Sequence, residues 1–381
     1  MDKNNDYFYA NGISFRKANM NSRKSPDFPL TYICDKERVP EGYHLNSEEH
    51  LVFHLHYPNA SVVQVQLLGN ETKVLTLCRS GDLWTGSCAI TPGFYATVIS
   101  VDGNEVLSDA LPITFSSNKP MNMIHVPEKD DVIIPDNCPH GSVVIDYLQS
   151  NVSGRLERIY VYLPPDYHAS DKRYPVLYLQ HGHGENETAW VTQGRMNFIA
   201  DNLIAKGKSV PSIVVMCNGM MTVEEKEGVR LDYAEGFSRM LVDEVIPFIE
   251  SRYRTYTDST HRAMAGLSMG SLQTSIVTLH YPDMFSYVGL FSGFVQDMLG
   301  SYMDHLTTQK LEKYRNRFKV YFRAMGEKDV FFDHFLSDDA LLEAHDISCD
   351  RRIYNGGHEW KVWHRCFYDF YQMLFGEDDN G

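Results

Sequence analysis

No stretch of the 381-residue sequence approaches the ~18 consecutive apolar residues that a membrane-spanning helix requires, so no membrane partner is expected. Basic charge is scarce too. Thirty-five Lys and Arg stand against fifty Asp and Glu, and the net charge of −15 repels phosphate backbones, which excludes nucleic acid as an expected partner. The opening residues, "MDKNNDYFYANG", lack the basic-then-apolar pattern of a secretion signal. As written the chain therefore reads as cytoplasmic, the alternative being a secreted protein whose leader is absent from this sequence. The seven cysteines, Cys34, Cys78, Cys88, Cys138, Cys217, Cys349 and Cys366, are odd in number and form no C-x-x-C, so free buried thiols are expected rather than a disulfide framework. Cys78 and Cys88 flank a hairpin-like turn and are the pair that an oxidising compartment would join. There is also no internal repeat and no low-complexity tract.

What is present is a globular composition, 43 % hydrophobic and 22 % charged, in a chain long enough for two unequal domains. From Leu51 to Phe115 the texture is short and strand-like: "LVFHLHYP", "SVVQVQLLG", "KVLTLC", "LWTGSCAI", "GFYATVISVDG" and "NEVLSDALPITF", separated by Pro, Gly, Asn and Asp. This predicts an all-β sandwich over residues 1–120, with a hairpin turn at "VDGN", Val101 to Asn104. Residues 121–140 are polar and dotted with proline, and read as a linker.

Over residues 141–381, apolar β-rich runs ("RLERIYVYLPP", "YPVLYLQHG", "PSIVVMCNG", "HRAMAGLS", "YVGLFSG", "FKVYFRAMG") alternate with helix-length amphipathic segments ("GRMNFIADNLIAKG", "GFSRMLVDEVIPFIESRY", "SLQTSIVTLHYP", "HRCFYDFYQMLFG"). Alternation of this kind implies a mostly parallel sheet covered on both faces, a three-layer α/β domain.

Within it, "AGLSMGS" places Ser268 in a G-x-S-x-G between a strand and a helix, the turn that exposes a nucleophilic serine. A serine hydroxyl needs a histidine base and a carboxylate to orient that base, in the chain order Ser, acid, His. His358, just after two glycines, is the expected base, with His364 as its rival. Asp329, shortly after the end of a strand, is the preferred acid, ahead of Glu327 and Asp333. An oxyanion hole requires backbone N–H groups aimed at developing charge. Position suggests the amides of Met269, next after the serine, and of Gly182 or His183 in the loop "HGHG". The His181-x-His183 pair has no acidic partner at a fitting spacing and no H-E-x-x-H accompanies it, so no metal is expected.

These residues resemble an esterase family of the α/β-hydrolase superfamily: the feruloyl and acetyl xylan esterases of carbohydrate esterase family 1, with enterochelin esterase. The motifs that carry the resemblance are "RIYVYLPPDY", "YPVLYLQHGHGENETAWVTQGRMNFIADNLIAKGK" with its Glu-x-x-x-Trp at Glu185, "DEVIPFIESRYRTYTDSTHRAMAGLSMGS" and "GGHEWKVW". Ser271 departs from a glycine common in the family, and "GEKD" departs in its interior from the usual Gly-x-x-Asp. The resemblance implies Ser268 as nucleophile, His358 as base and Asp329 as acid, acting through an acyl-enzyme with no metal or organic cofactor.

It further implies, as substrate, a small ester or a feruloylated xylo-oligosaccharide, with acetyl esters or a siderophore ester as alternatives. A non-catalytic glycan-binding protein on the same fold is the reading from another class. Trp190 and Trp360, close to the catalytic segments with Trp363 nearby, are candidates to wall the acyl pocket, the equal alternative being core positions. The N-terminal part resembles an immunoglobulin-like early-set module related to glycogen-binding modules, in which Trp84 is expected to be a core residue rather than a sugar platform. A homodimer is compatible with the sequence.

Overall fold

The structure is a computed structural model that describes residues 41–69, 72–129, 131–225, 228–293 and 312–376. The chain divides into two compact units, one of residues 1–114 and 120–129, the other of residues 115–119 and 130–381.

The described residues of the first unit are all-β. One sheet contains β1 (Gly42–Leu45), β2 (His50–His56), β5 (Cys78–Ser80) and β6 (Leu83–Ala89) in the order β1-β2-β6-β5. The other contains β3 (Val63–Leu68), β4 (Lys73–Thr76), β7 (Gly93–Val101), β8 (Asn104–Val106), β9 (Ile113–Ser116) and β10 (Lys119–Val126), ordered β4-β3-β7-β10-β9 with β8 beside β7. Every second residue of β2 and β3 is buried, and Leu51, Phe53, Leu55, Val63, Val65, Leu67, Trp84 and Ile99 join in one core. The predicted turn after β7 is present, with Asp102 and Gly103 both at positive φ, as a type I′ hairpin demands.

One expectation changes here. The linker predicted over 121–140 starts too early, because β10 pairs with β7 from Asn122 to Val126. Its polar Asn122 reads as loop but is buried, with Oδ1 accepting from the Ser108 amide and Nδ2 donating to the Ser108 carbonyl. Cys78 and Cys88 are both free thiols: Cys78 faces Thr85 across the sheet, while Cys88 faces Leu51 on another strand.

The second unit is built on an eight-stranded sheet. Its strands are β11 (Ser142–Gln149), β12 (Leu156–Leu163), β13 (Val176–Gln180), β14 (Ile213–Met216), β17 (Arg262–Leu267), β18 (Tyr287–Phe291), β19 (Val320–Gly326) and β20 (Asp350–Tyr354), and a separate hairpin is formed by β15 (Thr222–Glu225) and β16 (Gly228–Leu231). The order is β11-β12-β14-β13-β17-β18-β19-β20, antiparallel at β11 and β12 and parallel from β14 onward. Strands β13, β14, β17 and β18 are buried at every position, as expected of parallel strands covered on both faces.

The helices are α1 (Ala189–Thr192), α2 (Met196–Ala205), α3 (Glu235–Arg239), α4 (Ile246–Arg252), α5 (Met269–His280), α6 (Phe332–Ala344) and α7 (Trp360–Gln372). The single helix predicted over "GFSRMLVDEVIPFIESRY" runs as α3 and α4 joined by a π-helical stretch, Met240–Val245. Pro247, at the start of α4, has no N–H to return to the preceding turn, which favours such a widening. No helix among the described residues is long and apolar enough to cross a membrane.

Candidate active site

Parallel strands deliver their following loops to one edge of the sheet, and ligands of open α/β sheets bind at that carboxyl edge. Four such loops matter here, those after β13, β17, β19 and β20. Ser268 sits between β17 and α5 with φ 51° and ψ −117°, a conformation that costs a residue bearing a β-carbon about 1–3 kcal/mol. Its surroundings impose that conformation. The Ser268 amide donates to Phe291 O at 2.9 Å, and its carbonyl accepts from the Ser271 amide at 3.0 Å and the Leu272 amide at 3.1 Å.

The two motif glycines are demanded by close approach. A β-carbon on Gly266 would lie 2.4 Å from the Gly270 backbone, and one on Gly270 would lie 2.6 Å from the His181 carbonyl. Ser271 is fully buried in the first turn of α5.

His358 reaches the serine from the loop after β20, with Nε2 2.9 Å from Ser268 Oγ. Its Nδ1 lies 2.9 and 3.1 Å from the two oxygens of Asp329, whose side chain is fully buried. A carboxylate only accepts, so Nδ1 carries the imidazole proton and Nε2 presents a lone pair to the hydroxyl. Asp329 is anchored in turn by the Phe331 amide, which donates to its Oδ1 at 3.0 Å. Phe331 and Trp363 both meet the His358 ring edge-on, with centroids 5.1 Å away.

The rival residues are placed elsewhere. His364 is buried and bonds the Gln193 carbonyl at 2.9 Å. Glu327 faces Lys328, and Asp333 lies in the first turn of α6, a helix in what the sequence suggests is loop.

The loop after β13 runs beside the serine: a β-carbon on Gly182 would lie 3.6 Å from Ser268 Cβ. Of its two candidate amides, Gly182's is already engaged, donating to Glu185 Oε2 at 3.0 Å. His183 is exposed and follows directly. Met269 is the first residue of α5, where an amide has no acceptor within its own helix. His181 is fully buried, and its Nε2 accepts from the Gly219 amide at 2.8 Å, so its proton sits on Nδ1 and is donated to Gly182 O at 2.8 Å. Burial lowers its pKa to about 4, which keeps it neutral. No group of three or more His, Cys, Asp or Glu among the described residues is placed to hold a metal ion.

Trp190 and Trp360 do not line an open pocket. Both are core residues, 1 % and 5 % exposed, crossing at near right angles with centroids 5.2 Å apart. Their indole N–H groups are satisfied inside, by Gln180 O at 2.8 Å and by Glu185 Oε1 at 3.0 Å. Proximity in sequence to the catalytic segments reflects a shared core under the site rather than its walls. Glu185 is the residue whose position the sequence leaves least visible. It is buried and accepts three hydrogen bonds, from Gly182, Gln193 and Trp360, and burial pushes its pKa up to about 7. The only sequence signal for it is the Glu-x-x-x-Trp spacing.

A serine on a strained strand-to-helix turn, backed by a histidine and a buried aspartate on later loops of one parallel sheet, defines an α/β-hydrolase. The chain belongs to the Esterase family, whose model matches residues 150–371. It is 35 % identical over 343 residues to an endo-1,4-beta-xylanase/feruloyl esterase of Xylanibacter ruminicola, covering 87 % of this chain and 45 % of the relative. It is 32 % identical over 180 residues to endo-1,4-beta-xylanase Y of Acetivibrio thermocellus, covering 44 % and 15 %. The chain thus spans less than half the length of either relative.

Among solved structures, a ferulic acid esterase superposes with a TM-score of 0.53 at 25 % identity, over 61 % of this chain and 97 % of its own. The enterobactin esterase of Shigella flexneri shares the fold at 13 % identity, with a TM-score of 0.61 over 88 % of this chain and 96 % of its own.

Proposed function

We propose that this chain is a serine carboxylic-ester hydrolase, and specifically a feruloyl esterase that acts on feruloylated xylo-oligosaccharides through an acyl-enzyme. The observation that carries the reading is the continuous relay from Asp329 through His358 to Ser268 Oγ, with both imidazole nitrogens within 3.1 Å of their partners. In this mechanism Ser268 attacks the ester carbonyl while His358 Nε2 takes its proton, and Asp329 holds the ring and stabilises the imidazolium. His358 then returns the proton to the departing alcohol. Water, activated by the same nitrogen, releases the acid and regenerates the serine.

The developing oxyanion is received by the amides of Met269 and His183, Gly182's being engaged by Glu185. The feruloyl assignment is supported by the Xylanibacter relative and by the ferulic acid esterase that shares the fold.

The test is kcat/KM on methyl ferulate, acetylated xylan, p-nitrophenyl acetate and a catecholate trilactone. Methyl ferulate is expected to be the best of the natural-type esters. Preference for acetylated xylan or for the trilactone would replace the feruloyl assignment with that substrate class. Absence of turnover on all four would favour a glycan-binding protein without catalysis.

A further inference from the structure

The chemistry above does not use Glu185, yet this carboxylate is buried in the interior a few residues from the reacting serine's loop partners. Burying a carboxylate is unfavourable unless donors compensate it, and here three do. They come from three different places. The Gly182 amide belongs to the loop after β13, the Gln193 side chain comes from the residue that ends α1, and the Trp360 indole opens α7 two residues after His358. Each donor lies 3.0 Å away. All three groups donate, so both carboxylate oxygens act as acceptors. Gln193 and Trp360 meet on Oε1, while Oε2 is left to Gly182 alone.

We infer that Glu185 is a positioning residue of the esterase: its carboxylate pins the Gly182 amide and so aims the neighbouring His183 amide at the oxygen that becomes charged when Ser268 attacks. The inference rests on the reading of Ser268 as nucleophile. A peptide whose N–H is held by a buried acceptor has its plane fixed, and the next amide is oriented by it. The same carboxylate ties the loop to the start of the helix behind His358, so donor and base are registered against one buried anchor. His181, which donates to the Gly182 carbonyl, constrains the other end of the same residue.

The decisive variant is Glu185→Gln, which keeps the shape but presents an NH2 to a donor on one side or the other. In the full chain, kcat on methyl ferulate is expected to fall about 10- to 100-fold, the range that a misplaced or weakened oxyanion donor produces. KM is expected to stay within about threefold, because ground-state binding does not use that donor. A trifluoromethyl ketone analogue of ferulate, whose adduct with the serine carries the oxyanion, should lose affinity in step with kcat/KM. Glu185→Asp, which keeps the charge but withdraws it by one methylene, should show a smaller loss of the same kind, and it decides the question by the same readouts if the Gln variant does not fold.

Wild-type kcat in the variant that folds would overturn the inference. So would a loss of kcat with unchanged analogue affinity, the outcome of a merely structural role. Retention of full activity by Ser268→Ala would instead overturn the esterase mechanism itself, whatever Glu185 variants do.

Discussion

In the sandwich, β2 alternates buried and half-exposed residues along "HLVFHLH", and its histidines face outward. In the α/β unit, β13, β14, β17 and β18 are buried throughout, and the polar groups that matter stand at the ends of parallel strands: His181 after β13, Ser268 after β17, Asp329 after β19. The first arrangement leaves polarity to water. The second encloses it, where pairing stabilises a polar group, and pairing is what fixes a histidine 2.9 Å from a serine hydroxyl. The contrast teaches that reactivity here belongs to the unit that buries polar groups, while the sandwich uses its few buried polar atoms to hold a turn, as Asn122 does at Ser108.

Substitutions in each unit should break this contrast in different currencies of measurement. The largest effect is expected from Asp329→Asn, which keeps the side-chain shape but no longer holds the imidazole in the required tautomer; kcat should fall about 10³- to 10⁴-fold with little change in folding stability. A loss below tenfold, measured by steady-state kinetics, would remove Asp329 from the relay. In the sandwich, Trp84→Ala should instead act on stability. Trp84 is 5 % exposed and its Nε1 donates to Tyr57 O at 2.9 Å, so truncation should destabilise that unit by about 3–5 kcal/mol in urea unfolding. An effect under 1 kcal/mol would show that the residue is not core.

The smallest expected effect concerns pH. His181 has its pKa lowered to about 4 by burial, so the folded chain refuses a proton that the unfolded chain binds near pH 6.5, and stability falls as pH drops through that window. Glu185, raised to about 7 by burial, works in the opposite direction: the folded chain holds a proton that the unfolded chain has released above about pH 4.5, so this term lowers stability as pH rises. Glu185→Gln removes the second term and leaves the first. Its melting temperature should therefore fall more steeply than that of the wild type between pH 6.5 and 4.5; an equal slope would mean the two groups do not oppose each other.

Much of this was legible in the sequence, for identifiable reasons. Period-two alternation marks β2 and β3, and unbroken apolar runs mark β13 and β18, because burial on one face or two leaves its trace in every residue. Ser268 and His358 were legible because glycines flank them at turns with few conformational solutions. What sequence could not carry was three-dimensional bookkeeping of polar partners. Asn122 looks like linker and is a strand residue, since its amide is satisfied by a loop fourteen residues back. Trp190 and Trp360 look like pocket walls and are core, since their N–H groups find acceptors inward. Gly182 and His183 are equivalent as candidate donors in sequence, and only the bond to Glu185 separates them.

The central claim is that Ser268 is the atom-transferring residue of this chain. Intact-mass spectrometry of the wild type, after a rapid acid quench of its reaction with p-nitrophenyl acetate, tests it most directly. One added acetyl group, located on Ser268 by peptide mapping and missing from Ser268→Ala, is the expected result. An acetyl group on another residue, or equal labelling of the Ala variant, would contradict the account.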